Sequence, residues 1–179
     1  MNVQANLINR RKWASAGFTL MELLIVMVIL GIMAMAVIPQ VSISSDDAKL
    51  KTLDTNLSAM RSAVEVYYAQ HKNAYPGAAV PATKPAGITT TAHAFAAQLT
   101  RYSDADGNIA NAKDATYKYG PYIKGGALPK NPFNELNDVT IDAAETDITV
   151  KVSGGAGTGW KFYAKTGIFM AADGSHDTN

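Results

Sequence analysis

The residues of this chain that could do chemistry fall into three groups. Near the front, Glu22 is the single ionisable residue between positions 18 and 41, and the sixteen residues from Leu23 to Ile38 carry no charge. A carboxylate one turn into such a segment costs on the order of 3 kcal/mol to place in a bilayer, so it calls for a partner or a purpose. In the middle, Asp104-Ala105-Asp106-Gly107-Asn108 has the look of a calcium loop, but its Gly comes two positions too early for an EF-hand. A plain acidic turn is the reading there. At the end, Asp173 and Asp177 bracket Gly174-Ser175-His176 and could offer hard oxygen ligands to a cation, joined by Asp104 or Asp106 if the loops meet. The competing reading is a frayed acidic tail.

Catalytic groupings are harder to find. The three histidines, His71, His93 and His176, are far apart, none has metal-ligand spacing, and there is no Gly-x-Ser-x-Gly elbow. Each reads as an exposed or helix-end histidine. The run 153–159 lacks the Lys and the following helix of a phosphate loop, which leaves a Gly-rich turn. The chain therefore reads as no enzyme. Residues 1–17 hold three basic and no acidic side chains, and without them the formal charge goes from +1 to −2. That charge gives no footprint for nucleic acid. No cysteine is present, so an exported domain would fold without disulfides.

The elements that must position these groups begin with the apolar run. As a helix, 18–41 would measure roughly 36 Å, enough for a hydrocarbon core of about 30 Å. Arg10, Arg11 and Lys12 precede it, which leaves the N-terminus in the cytoplasm. A signal anchor is the bland alternative. Beyond Pro39 the composition turns polar, yet Leu50, Leu53, Leu57, Met60, Val64 and Tyr67 recur at three- and four-residue steps on one stripe. One long helix of roughly 80 Å is expected, to about Lys72, with a kink or melted turn between Gly31 and Pro39. Tyr75-Pro76-Gly77 is read as its stop.

A shorter helix is expected over 92–102, capped by Thr89, Thr90 or Thr91, with Phe95 and Leu99 on one face. The stretch 119–134, with Tyr119-Gly120-Pro121-Tyr122 and Asn131-Pro132-Phe133-Asn134, is too broken for a regular element and reads as a loop pressed onto the domain. Strands follow at 139–141 and 147–152, and 160–163 with 168–170 reads as a hairpin. Three or four short antiparallel strands would shield the helix stripe. The fold class is α+β. At 179 residues with 47% hydrophobic content there is room for one modest anchored domain.

The sequence Gly17-Phe18-Thr19-Leu20-Met21-Glu22, with an unbroken apolar helix carrying Pro39, resembles the N-terminus of type IV filament subunits, that is, type IV pilins and type II secretion pseudopilins. The resemblance implies a cleaved leader (1–17), a transmembrane or filament-core helix (18–41), its amphipathic continuation (42–72) and a periplasmic head (73–179) arranged as a lollipop. It implies cutting between Gly17 and Phe18 by a prepilin peptidase, N-methylation of Phe18, and assembly of like subunits through Glu22 and Pro39 at an inner-membrane platform. An ordinary secretory signal differs, because its apolar core leaves with the leader. Major pseudopilins also bind calcium in an Asp/Gly-rich C-terminal loop, for which Asp173 and Asp177 would be the ligands here. The lack of cysteine and the Pro/aromatic loop lean toward a pseudopilin, although Asn131-Pro132-Phe133-Asn134 departs from the family's Asp-Pro-Trp-Gly. The alternatives are a type IV pilin for adhesion or twitching and a minor pilin that binds a ligand or DNA; scattered Lys and Arg speak against DNA.

Overall fold

A computed structural model describes residues 18–147, 149 and 157–176, with only the helical backbone for 36–44. Helix α1 comprises Leu20–Gln70, and it contributes to two compact units, Met1–Ser44 and Ser45–Asn179. In the first unit, the described side chains of 18–35 are all exposed. The backbone stays helical through Gly31 and Pro39, so of the expected kink or melted turn the melted form is absent.

In the second unit the apolar stripe does what its spacing dictates. Leu53, Leu57, Met60, Val64 and Tyr67 are all buried, while Lys51, Asp54, Arg61 and Glu65 face outward. Burial of such side chains contributes about 1.5–3 kcal/mol each. Leu50 departs from the expectation: it lies past the edge of the core and remains 37% exposed. The helix also stops before the Pro-Gly pair. Lys72 and Asn73 both take left-handed backbone conformations (φ 55° and 59°), and the Asn73 N–H donates to the Tyr68 carbonyl at 3.2 Å. This is a C-terminal cap in which Asn73 does the work usually left to Gly.

Helix α2, Thr91–Thr100, starts where a threonine was expected to cap it: Thr90 Oγ1 accepts from the His93 N–H at 3.1 Å. Phe95 and Leu99 are fully buried on its inner face. The chain then forms a two-stranded antiparallel ribbon, β1 (Tyr102–Ser103) and β2 (Ile109–Ala110), around the acidic turn. Asp104 Oδ1 accepts from the backbone N–H groups of Asp106 and Asn108, which closes that turn.

The second sheet corrects the all-antiparallel expectation. Its order is β3 (Val139–Asp142), β4 (Trp160–Tyr163), β5 (Phe169–Ala171); β3 and β4 are parallel, and β4 and β5 form the expected hairpin with Trp160 opposite Ala171. A parallel pair needs a long crossover, and residues 143–159 supply it. Of the strand expected at 147–152, Asp147 and Thr149 instead make a side-chain turn (Thr149 N–H to Asp147 Oδ1, 2.8 Å), and 148 and 150–152 lie outside the described residues.

Trp160, Phe162 and Phe169 close the core over the stripe together with Phe95. Tyr122, Ile123 and Phe133 of the Pro/aromatic loops pack against the same cluster, as the loop reading required.

Candidate functional sites

At the start of α1, Thr19 and Glu22 form a reciprocal cap. The Thr19 N–H and Oγ1 both donate to Glu22 Oε2 at 2.8 Å, and the Glu22 N–H donates back to Thr19 Oγ1 at 3.2 Å. This is the Thr-x-x-Glu capping box, in which two otherwise unpaired helix donors are satisfied at once. The spacing is legible in Thr19-Leu20-Met21-Glu22, and Thr19 is a partner for Glu22 that the sequence reading did not name. Around the box, Phe18, Leu20, Met21 and Met27 are each more than two-thirds exposed. No described side chain in 18–35 is buried, so this continuous apolar face has no cover within the chain's described residues. Among those residues no helix is long and apolar enough to cross a membrane. The expected span of 18–41 continues through 36–41, whose side chains are not described. Gly17 lies outside the described residues, as does the Pro39 side chain.

His93 and His71 meet the expectation of an exposed or a helix-end histidine, and the burial of His71 is the addition. His93 is exposed, but His71, just past the end of α1, is buried. Its ring stacks on Tyr67 with centroids 3.7 Å apart, Nδ1 is 2.8 Å from the Tyr67 carbonyl, and Nε2 is 2.9 Å from Ser103 Oγ. A carbonyl only accepts, so Nδ1 carries the proton and Nε2 accepts from the serine. Burial pushes the His71 pKa below its ordinary value, against the opposing effect of the Tyr67 carbonyl and of Asp104. The Ser103–His71 pair resembles half of a hydrolytic triad, but Ser103 is completely buried and no carboxylate holds Nδ1. A cleft of about 200 Å³ opens beside Tyr67, His71, Gln98 and Asp106, yet both nitrogens of its imidazole are already committed. Asp106 pairs with Lys72 at the surface.

At the other end, Asp173 follows β5 and its side chain is only 3% exposed. Its Oδ2 accepts from Asn131 Nδ2 at 3.0 Å; its Oδ1 accepts from the N–H groups of Ser175 (2.9 Å) and His176 (2.8 Å), with His176 Nδ1 at 3.1 Å. Burial pushes the Asp173 carboxyl up, but these hydrogen bonds together outweigh it and hold the pKa below the usual value. The His176 ring lies on Phe133, with centroids 3.8 Å apart. Asn131 is fully buried; the sequence marked it only as a loop residue standing where the family has Asp, since a polar residue before Pro gives no signal of burial. Asp104 and Asp173 share no hydrogen-bond partner, and Asp177 lies outside the described residues.

The family described as "Prokaryotic N-terminal methylation motif" matches residues 14–38. The chain is 42% identical over 52 residues to type II secretion system core protein G of Pseudomonas aeruginosa, a match covering 29% of this chain and 37% of that protein. It is 29% identical over 151 residues to type II secretion system core protein G of Vibrio cholerae, covering 80% of this chain and 86% of the relative. No solved structure matches. The matched motif and the capped apolar helix start fall on the same residues. The chain is thus similar to this motif family at its start and to a type II secretion system core protein G over most of its length.

Proposed function

We propose that the chain is a structural, non-catalytic subunit of a type II secretion filament, polymerised with like subunits through its N-terminal apolar helix. The observation that carries this reading is the exposed apolar face of 18–35 with a single capped carboxylate at its start. A face of that kind requires lipid or neighbouring copies of itself. In this account a prepilin peptidase cuts between Gly17 and Phe18, the new Phe18 amine is methylated, and the subunit waits in the inner membrane with its head in the periplasm. An inner-membrane platform then feeds subunits into the filament, each a lollipop with its helix in the polymer core and Pro39 along it. Type II secretion is favoured by the likeness to the two core G proteins, the longer of which reaches well into the head.

Glu22 has a defined part in this scheme. In the filament core no water reaches the carboxylate, and the Phe18 amine of a neighbouring subunit supplies its cation. Two unit charges about 4 Å apart attract by roughly 4 kcal/mol at an effective dielectric near 20, similar to the cost of desolvating them. The pairing therefore contributes register more than net stability, because a misplaced subunit leaves two unpaired charges in an apolar core. Replacing Glu22 with Ala should leave membrane insertion intact and abolish filaments. Membrane fractionation and imaging of sheared filaments check this. Abundant normal filaments from the variant would rule the pairing out, and loss of the protein from membranes would place the action of Glu22 earlier.

A further inference from the structure

The resemblance implies calcium in the C-terminal turn, and the residues around Asp173 do not fit it. Calcium takes six to eight oxygen ligands at about 2.3–2.6 Å. Here the approaches to the Asp173 oxygens are taken by nitrogen donors: Asn131 Nδ2, the Ser175 and His176 amides, and His176 Nδ1. These groups aim hydrogens at the carboxylate, where a cation would be repelled by them. Among the described residues no three His, Cys, Asp or Glu side chains gather as a ligand set. Asp104, the other carboxylate considered as a ligand, has its oxygens turned to Asp106 and Asn108 of its own turn.

We propose that this turn is a metal-free latch, in which Asn131 and His176 fasten the Asp173 carboxylate and so dock the C-terminal segment without a divalent cation. Asn131 is its hub. One Nδ2 hydrogen goes to Asp173 and the other to the Gly159 carbonyl at 3.1 Å, while Oδ1 accepts from the Phe133 N–H at 2.9 Å. One buried amide thus ties together the loop at 131–133, the entry to β4 and the segment after β5. A buried amide that loses its partners leaves donors and acceptors unsatisfied on all three segments. His176 adds the second fastening, pairing with Asp173 on one edge while its face rests on Phe133. The departure of this loop from the family's Asp-Pro-Trp-Gly is part of the device. An Asp at 131 would set a second carboxylate against Asp173, whereas Asn131 presents a donor.

The test uses the full-length protein in detergent, with thermal unfolding followed in EGTA and in millimolar calcium chloride. The wild-type midpoint should be the same in both. His176→Ala should lower the midpoint by a few degrees, and Asn131→Ala by about twice as much, in both solutions alike. Where Asn131→Ala fails to fold, His176→Ala carries the test through hydrogen exchange. The amides of Ser175 and His176 should be protected in the wild type with or without calcium, and should exchange at least tenfold faster in the variant. A wild-type midpoint that rises several degrees with calcium overturns the proposal. So does a His176→Ala protein whose midpoint and exchange match the wild type.

Discussion

Two stretches of helix α1 are built from the same kinds of residue and meet opposite fates. In 20–35, Leu, Ile, Val and Met crowd every face and every described side chain is exposed. In 53–67, Leu53, Leu57, Met60, Val64 and Tyr67 occupy one stripe, and all are buried under Trp160, Phe162 and Phe169. Periodicity makes the difference. An apolar stripe with a polar back can be satisfied by one small sheet, whereas a helix apolar all round needs cover on all sides. The head supplies the first kind of cover from its own chain. The second kind has to come from lipid or from other subunits.

The largest effect that would break this comparison is a charge within the stripe. Leu57→Asp buries a carboxylate without a partner and should cost at least about 3 kcal/mol, enough to unfold much of the head in chemical denaturation. Leu24→Ala, in the exposed stretch, should leave the same unfolding curve unchanged. Equal sensitivity of the two sites would show that the stretches are not energetically distinct. A second, milder test removes the apolar stretch. The fragment Ser45–Asn179, one compact unit, should be soluble and monomeric by sedimentation, since its own stripe is already covered. Self-association of that fragment would put an assembly surface on the head.

Legibility follows the same division. The stripe, the Thr90-capped helix and the β4–β5 hairpin were readable because each depends on neighbours within a few residues. The parallel pairing of β3 with β4 was not, because strand direction across a seventeen-residue connection (143–159) leaves no local pattern. Asn73 as a helix cap was overlooked in favour of the Pro-Gly pair a few residues later. At the sites, the Thr19–Glu22 box was written in the sequence and missed, whereas burial of Asn131 and His71 is decided by tertiary partners that no spacing reveals.

The smallest expected effect concerns His71 and acid. The group is faced by Tyr67 of α1, Ser103 and Asp104 at the ribbon, and Tyr119 and Tyr122 of the loop. Burial lowers its pKa in the folded head below the unfolded value of about 6.5. The unfolded chain therefore takes up the proton first. Stability is fully present above about pH 6.5 and falls as the pH drops through the window between the two values, by at most about 1.4 kcal/mol per pH unit. Urea unfolding of Ser45–Asn179 between about pH 7.5 and 5 should show this loss, and His71→Gln should flatten it. An identical slope in the variant would mean that the imidazole is not the titrating group.

On the proposed function, the uncovered stretch is an assembly surface kept in the mature subunit while the residues before it are removed. Intact-mass measurement of the protein purified from its native host tests this most directly. The expected chain begins at Phe18 and carries one added methyl group. A chain still beginning at Met1, or one cut after Ile38 so that the apolar stretch is lost, would contradict it.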